Sequence, residues 1–312
     1  MKWDRKHVLN MSDFDAEDIL HIFRTADSLK EILSRPIKKV PTLRGKSVCT
    51  LFYENSTRTR TSFEMAAKML SADTQSLAVA TSSVAKGESF RDTLLTIEAM
   101  GIDLLVIRHA ASGAPHQAAA WTGCHVINAG DGLHEHPTQG LLDLYTMREN
   151  KGELAGLEVA LVGDLQHSRV ARSNIWGLLE MGANVRAVAP ATLIPTDLHA
   201  DRLTFYDNLE DGVRGADVVN VLRIQRERMD SGYLPSLREY ALRYQINKKT
   251  LSLAKPDALL MHPGPMNRGV EIAPDVADGT HSVIVEQVTN GVAIRMALLF
   301  LMLGGSYDEV AN

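Results

Sequence analysis

Ser56-Thr57-Arg58-Thr59-Arg60-Thr61 gathers four hydroxyls and two guanidinium groups in one short run. It follows an apolar, β-rich stretch (Ser47 to Tyr53) and precedes a helical one (Phe63 to Leu70). It therefore stands where a strand turns into a helix. A helix begins with N–H donors that have no intrahelical partner and with the positive end of its dipole. Arg58 adds a planar fork matched to phosphate oxygens. Ser56, Thr57, Arg58 and Thr59 thus read as a phosphate cradle without a glycine-rich loop. Ser and Thr also cap helices whatever the function. A cap uses one hydroxyl, however, and two arginines at the start of a helix oppose the dipole. An anion resolves both facts.

Further along, Asn128-Ala129-Gly130-Asp131-Gly132-Leu133-His134-Glu135-His136-Pro137-Thr138-Gln139 raises a metal question. In an extended segment His134 and His136 share a face, but the sequence offers no third ligand, so no metal site is expected. Pro137 biases His136 toward an extended backbone and suits the first position of the next helix. That leaves the His136 imidazole at a helix entrance, where it can donate to a substrate carbonyl oxygen.

Ser82-Ser83-Val84-Ala85-Lys86-Gly87-Glu88-Ser89 is a polar connection between a strand and a helix, by default only a solvated loop with an N-cap. Arg223-Ile224-Gln225 follows an apolar strand, and alternation points Arg223 and Gln225 the same way. That suits a substrate carboxylate; a charged, solvated surface run is the plainer alternative. His262-Pro263-Gly264-Pro265 offers few backbone donors, and its carbonyls can accept from an amide or ammonium. A loop that must aim carbonyl oxygens this way is expected to carry a cis Gly264–Pro265 bond.

These clusters need a scaffold that brings them together. Phe14, Ile19, Ile22, Phe23, Leu29, Ile32 and Leu33 predict a helix over Phe14 to Leu33. Short β-like runs then alternate with helical ones. Strands are expected at 48–53, 75–80, 103–107 and 125–128, and helices at 60–70, 90–100, 115–121 and 137–150. The pattern restarts with strands at 157–163, 184–189, 217–222 and 258–261, a helix at 170–181, and a last helix from Val288 or Thr289 to Leu303 before Gly304-Gly305. Strand–helix alternation implies an α/β fold of two similar-sized domains, each a parallel sheet flanked by helices. The seam is expected near Asn150-Lys151-Gly152, giving domains 1–150 and 151–287 with helix 288–305 returning to the first. In such sheets ligands collect at the carboxyl ends of strands. Ser56–Thr59, Arg108-His109, Asp131–Gln139, Asp164–Arg169, Arg223–Gln225 and His262–Pro265 all follow expected strands.

Composition narrows the function classes. The chain has 312 residues and a formal net charge of -5, which argues against a general nucleic-acid binder, so any basic site is local. Two isolated cysteines, Cys49 and Cys124, form neither a disulfide framework nor a zinc pattern. No signal peptide is recognisable, and the longest apolar run, Met296 to Leu303, is too short for a bilayer. A cytoplasmic enzyme without a membrane or nucleic-acid partner is the expectation.

Seven segments together resemble the catalytic chain of aspartate carbamoyltransferase: Ser56-Thr57-Arg58-Thr59, Val84-Ala85-Lys86-Gly87-Glu88, Val106-Ile107-Arg108-His109, His136-Pro137-Thr138-Gln139, His167-Ser168-Arg169-Val170-Ala171-Arg172-Ser173, Arg223-Ile224-Gln225, and His262 to Gly269. They span nearly the whole chain in the family's order. The resemblance implies transfer of a carbamoyl group from carbamoyl phosphate to the amine of L-aspartate, in pyrimidine synthesis, with no cofactor. It implies that Ser56, Thr57, Arg58 and Thr59 hold the phosphate, and that Arg108, His136 and Thr59 polarise the carbonyl. Gln139 and carbonyls near Gly264 and Pro265 would hold the carbamoyl nitrogen. Arg169, Arg223 and Gln225 would hold the aspartate carboxylates. By the same resemblance Ser82 and Lys86 enter from a neighbouring subunit of a homotrimer. Larger assemblies with regulatory or dihydroorotase-like chains are possible partners, and Glu54, Arg169 and Arg228 resemble charge partners of domain closure.

Three other readings compete. Ornithine carbamoyltransferases share the phosphate motif, but their His-Cys-Leu-Pro segment is absent here, since Pro263 follows His262. A non-catalytic assembly subunit is disfavoured because every expected polar group is present. A Rossmann dehydrogenase is weaker still, because Val162-Gly163-Asp164 lacks the G-x-G-x-x-G pattern.

Overall fold

The computed structural model describes residues 3–78, 87–225 and 232–304. Its strands are β1 (His7–Val8), β2 (Ser47–Phe52), β3 (Asp73–Ala78), β4 (Leu104–His109), β5 (His125–Asp131), β6 (Glu158–Val162), β7 (Asn184–Val188), β8 (Leu203–Tyr206), β9 (Val218–Val221) and β10 (Leu259–Met261). Its helices are α1 (Ala16–Lys30), α2 (Thr57–Met69), α3 (Phe90–Ala99), α4 (Ala114–Trp121), α5 (Pro137–Lys151), α6 (Arg169–Glu180), α7 (Leu209–Val213), α8 (Leu237–Tyr244), α9 (Lys248–Leu251), α10 (Pro274–Ala277) and α11 (Ile284–Met302). The chain divides into two compact units, Met1–Thr138 with Thr289–Asn312, and Gln139–Val288. The division falls inside α5, earlier than the expected seam at Asn150-Lys151-Gly152.

The first unit holds a five-stranded sheet in the order β1-β5-β4-β2-β3, with every pair parallel. A parallel sheet covered on both faces needs strands that are apolar throughout. Val48, Cys49 and Leu51 of β2, and Leu104, Leu105, Val106 and Ile107 of β4, are accordingly buried. On one face Cys49, Leu51, Leu105, Ile107 and Val126 pack with Leu94 and Ile97 of α3 and Ala118 of α4. β2 sends the chain to β3 on one side and β4 returns on the other. The order therefore reverses between β2 and β4, and the crevice beyond their carboxyl ends is where such sheets take ligands.

The second unit repeats the plan in the order β10-β9-β6-β7-β8, again wholly parallel. Val162, Val188, Val219, Val221 and Leu260 pack with Tyr240, Ile246 and Ile272. Its order reverses between β6 and β9. There Gly163 has φ +137°, and a Cβ on it would stand 2.6 Å from the Leu222 carbonyl oxygen. Only glycine lets the two strand ends approach this closely.

Four elements in particular differ from the sequence reading. β1 and β8 are edge strands of two and four residues, too short to show a period. α2 begins at Thr57 rather than at residue 60, so the whole hydroxyl–arginine run enters the helix end. α11 begins at Ile284, which makes it 19 residues long and apolar enough to cross a membrane by length and composition; 72% of its apolar window is buried inside the protein, as in a core helix.

Candidate active site

In the first unit the amino end of α2 sits just beyond β2. Ser56 occupies the N-cap position with an extended backbone (φ −157°, ψ 90°), yet its side chain makes no capping hydrogen bond, and no acidic residue lies in the first turn. The capping explanation for these hydroxyls therefore fails for Ser56. Thr57 and Arg58 are exposed, Ser56 is half-buried and Thr59 is buried. The helix end thus presents N–H groups, hydroxyls and a guanidinium with no carboxylate of its own.

Arg108 belongs to β4, where it pairs in register with Phe52 at the end of β2. Its guanidinium is held from two sides: Nε lies 3.3 Å from Glu54 Oε2, and Nη1 donates to the Ala129 carbonyl at 3.3 Å. Ser56–Thr59 and Arg108 therefore flank the same switch point. Glu54, a suggested partner of Arg169 and Arg228, here pairs with Arg108.

His136 is buried at the entrance to α5, directly before Pro137 at the first helical position. Thr138 Oγ1 lies 3.5 Å from its Nδ1. His134 does not share its surroundings. It turns to Asp131, whose Oδ2 is 3.1 Å from its Nδ1, and stacks edge-on against His116 with ring centroids 5.6 Å apart. His116, Asp131 and His134 bring ligand-type atoms within 4.8 Å of one another, a grouping that sequence spacing did not reveal. The Asp131 oxygens already accept from the Gly113 and Glu135 N–H groups and the Asn128 amide, so this carboxylate organises the turn between β5 and α5. Burial pushes the Asp131 carboxyl up, but hydrogen bonds from His134, the Gly113 N–H and the Asn128 amide outweigh it and hold the group below the usual carboxylate range.

The second unit carries the remaining candidates. Gln139, in the first turn of α5, donates from Nε2 to Asp143 Oδ1 at 2.9 Å. Arg169 is buried as the first residue of α6, whose N-cap Ser168 accepts from the Ala171 N–H at 3.2 Å. Asp164, at the end of β6, accepts from the His167 N–H at 3.0 Å, contacts His167 Nδ1 at 2.9 Å, and accepts from the Gln225 N–H at 3.3 Å. This one carboxylate ties the approach to Arg169 to the Arg223–Gln225 segment across the β6/β9 switch point. Burial raises its pKa against those hydrogen bonds. Ile224 is fully buried while Arg223 and Gln225 are half-buried, so the expected alternation is present.

Gly264–Pro265 is a cis peptide, as expected. The loop is fastened by His262: its Nδ1 accepts the Gly264 N–H at 2.8 Å, which leaves Nε2 to donate to Glu271 Oε1 at 3.2 Å. Asn267 reaches the Ile224 carbonyl at 3.5 Å, linking this loop to the Arg223–Gln225 segment. Ser82, Lys86 and Arg228 lie outside the described residues. Burial pushes the Cys49 thiol up to about 12 and raises that of Cys124, so neither is poised as a nucleophile.

Comparison with known proteins agrees with this arrangement. Residues 6–149 match the carbamoyl-P binding domain of aspartate/ornithine carbamoyltransferases, and residues 155–302 match the Asp/Orn binding domain of the same family. The aspartate carbamoyltransferase catalytic subunit of Moorella thermoacetica is 60% identical over 98% of this chain and 100% of its own length. That of Desulforamulus reducens is 60% identical over the full length of both. Among solved structures, aspartate transcarbamoylase from Trypanosoma cruzi in complex with N-(phosphonacetyl)-L-aspartic acid superposes with a TM-score of 0.88 at 29% identity, covering 96% of this chain and 95% of that one. Ornithine carbamoyltransferase from Gloeobacter violaceus gives 0.82 at 28% identity, covering 97% and 100%. The fold is thus common to both enzyme types, while the 60% identity is to aspartate enzymes along the whole sequence; the chain belongs to the aspartate/ornithine carbamoyltransferase family, and within it to the aspartate carbamoyltransferase catalytic chains.

Proposed function

We infer that the chain transfers the carbamoyl group of carbamoyl phosphate to the α-amine of L-aspartate, releasing N-carbamoyl-L-aspartate and phosphate, an early step in pyrimidine synthesis. The observation that carries the reading is the amino end of α2, where Ser56 leaves the helix uncapped and Arg58 stands exposed. It is an anion site in a chain that matches aspartate carbamoyltransferase catalytic subunits from end to end. We assign Ser56, Thr57, Arg58 and Thr59 to the phosphate. Attack by the amine forms a C–N bond and builds negative charge on the carbamoyl oxygen, which Thr59, Arg108 and His136 stabilise as preorganised donors. The C–O bond to phosphate then breaks, and the amine proton leaves on the departing phosphate. Arg58, Arg108 and Lys86 offset the charge of that group. Gln139 and the Gly264–Pro265 carbonyls accept from the carbamoyl nitrogen, and Arg169, Arg223 and Gln225 take the aspartate carboxylates. Holding two substrates in register supplies the rest of the acceleration through recovered encounter entropy.

The active unit in this reading is a homotrimer in which Ser82 and Lys86 complete a neighbour's site. Its support is the likeness of the Val84–Glu88 loop to the family's shared loop. A cytoplasmic location accords with the two free, buried thiols. Supplying carbamoyl phosphate with aspartate, ornithine or putrescine and identifying the carbamoylated product by mass spectrometry tests the assignment. N-carbamoyl-L-aspartate as the main product supports it, and citrulline or carbamoylputrescine in its place overturns it.

A further inference from the structure

Asp143 is a fully buried carboxylate whose four hydrogen-bond partners among the described residues are all neutral side-chain amides. Oδ1 accepts from Gln139 Nε2 at 2.9 Å and Gln287 Nε2 at 2.8 Å. Oδ2 accepts from Asn174 Nδ2 at 2.8 Å and, more distantly, from Asn220 Nδ2 at 3.5 Å. An ionised carboxylate only accepts hydrogen bonds, so every amide that touches it must turn its NH2 inward. For Gln139 this has one consequence: the carbonyl oxygen, Oε1, faces away from Asp143. Without that contact the Gln139 amide has two nearly isosteric orientations, one presenting an acceptor and the other a donor.

The same carboxylate reaches the 262–265 loop. Gln287, with its NH2 given to Asp143, presents Oε1 to the His262 N–H at 2.9 Å. His262 in turn accepts the Gly264 N–H on Nδ1 at 2.8 Å. Hydrogen bonds anchored at Asp143 therefore run along two branches: the first sets which end of the Gln139 amide faces outward, and the second holds the loop in place, since the His262 and Gly264 backbone N–H groups donate in any case. One ends at the Gln139 carbonyl and the other at the Gly264–Pro265 backbone. Those are the two groups assigned above to the carbamoyl nitrogen, which carries two N–H donors and needs acceptors.

We propose that Asp143 is a positioning residue that fixes Gln139, and through Gln287 and His262 the Gly264–Pro265 loop, as hydrogen-bond acceptors, so that the site selects an acyl phosphate bearing an NH2 group over one bearing a methyl group. This rests on the carbamoyl transfer reading. A site that had to recognise only the phosphate and the carbonyl oxygen would gain nothing from two aligned acceptors. Donors in their place would oppose the carbamoyl N–H groups, while a methyl group would distinguish the two arrangements far less.

The test compares carbamoyl phosphate with acetyl phosphate, which replaces the NH2 by CH3 and is assayed as a competing ligand. In Asp143→Ala the Gln139 amide loses its reference. We expect the KM for carbamoyl phosphate to rise by about tenfold, roughly the worth of one or two hydrogen bonds, while the Ki of acetyl phosphate moves by no more than about twofold. Equal weakening of both ligands in a folded variant overturns the proposal, because a merely structural role weakens binding without regard to the NH2. An unchanged KM for carbamoyl phosphate overturns it too. If the variant does not fold, a crystal structure of the wild-type enzyme with phosphonoacetamide decides. Gln139 bridging Asp143 and the ligand amide nitrogen supports the proposal, and a Gln139 that does not touch that nitrogen removes it. Wild-type protein that makes no N-carbamoyl-L-aspartate would instead sink the underlying assignment, so the two failures are distinguishable.

Discussion

Arg58 is the residue on which the phosphate reading is most exposed to test. It is solvent-accessible at the start of α2, so its removal costs little packing. Arg58→Ala is expected to lower kcat on the order of 10²-fold or more, the scale of losing one preorganised charge-stabilising donor, with stability changed by less than about 0.5 kcal/mol. Steady-state kinetics beside a thermal melt check both halves. Near-normal turnover in the folded variant would refute the phosphate role. Arg223 gives a complementary result. It is assigned to a substrate carboxylate, and a hydrogen bond to a charged group contributes about 1.5–3 kcal/mol. Arg223→Ala should therefore weaken aspartate by about tenfold or more and leave carbamoyl phosphate nearly untouched, as read by titration calorimetry. Equal losses would make Arg223 structural.

At this scale much of the candidate site's local geometry was legible in the sequence. Ser56–Thr59, Arg223 with Gln225, and the cis Gly264–Pro265 bond each announce themselves through neighbours in the chain: a strand ending, an alternation, a proline. Asp143 did not. Its partners Asn174, Asn220 and Gln287 stand 31, 77 and 144 residues away. Nothing local in Leu141-Leu142-Asp143-Leu144 marks that aspartate as the hub of an amide cluster. The grouping of His116 with His134 was hidden for the same reason, since a helix and a turn bring them together.

The elements do their work at their ends. α6 begins at Arg169 because Ser168 caps it, and the cap therefore sets where that guanidinium starts. Ser168→Ala should cost about 1 kcal/mol of stability, the usual worth of such a cap. It should also raise the KM for aspartate more than that for carbamoyl phosphate. A melt together with two substrate titrations measures both, and an unaltered aspartate KM would detach the cap from the site. On α5, Gln139 and Asp143 are one turn apart and face each other, so the helix itself builds that contact. Burial pushes the Asp143 carboxyl up to about 6 from the ordinary 3.8. A carboxyl raised in the folded state favours folding in its protonated form. Its contribution is fully present below pH ~3.8 and is lost as pH rises through about 6. Asp143→Asn, neutral at every pH, should flatten stability in that window relative to the wild type. Urea unfolding at pH 4, 5, 6 and 7 reads the difference, and parallel curves would show that Asp143 does not titrate there. The edge strands β1 and β8 were illegible at this scale because two and four residues carry no periodic signal, whereas the central strands stood out as apolar runs between polar ends.

For the whole molecule, the trimer reading makes a prediction that a single-chain site does not. If Lys86 serves a neighbour's site, chains carrying Lys86→Ala and chains carrying Arg58→Ala should regain activity when unfolded and refolded together. Some mixed sites would then draw both intact residues from different chains. Recovery of up to about one site in four is the order expected for equal random mixing, an entropy-driven partition like any assembly governed by mass action. No recovery in mixed assemblies verified by native mass spectrometry would place Lys86 and Arg58 on the same chain.

The division of the chain bears on its birth as well as its chemistry. The second unit is continuous, Gln139–Val288, but the first is closed by the segment that returns after it. That segment carries Ala293, Ile294, Met296, Ala297, Leu298, Leu299 and Phe300, all buried in α11. During synthesis from the amino end, the unit made first must wait for the last stretch to leave the ribosome before its interior closes, while the unit made second can finish earlier. The nascent chain therefore spends most of its translation with the β1–β5 sheet lacking a core helix. Through that interval its apolar face is without the side chains that finally cover it.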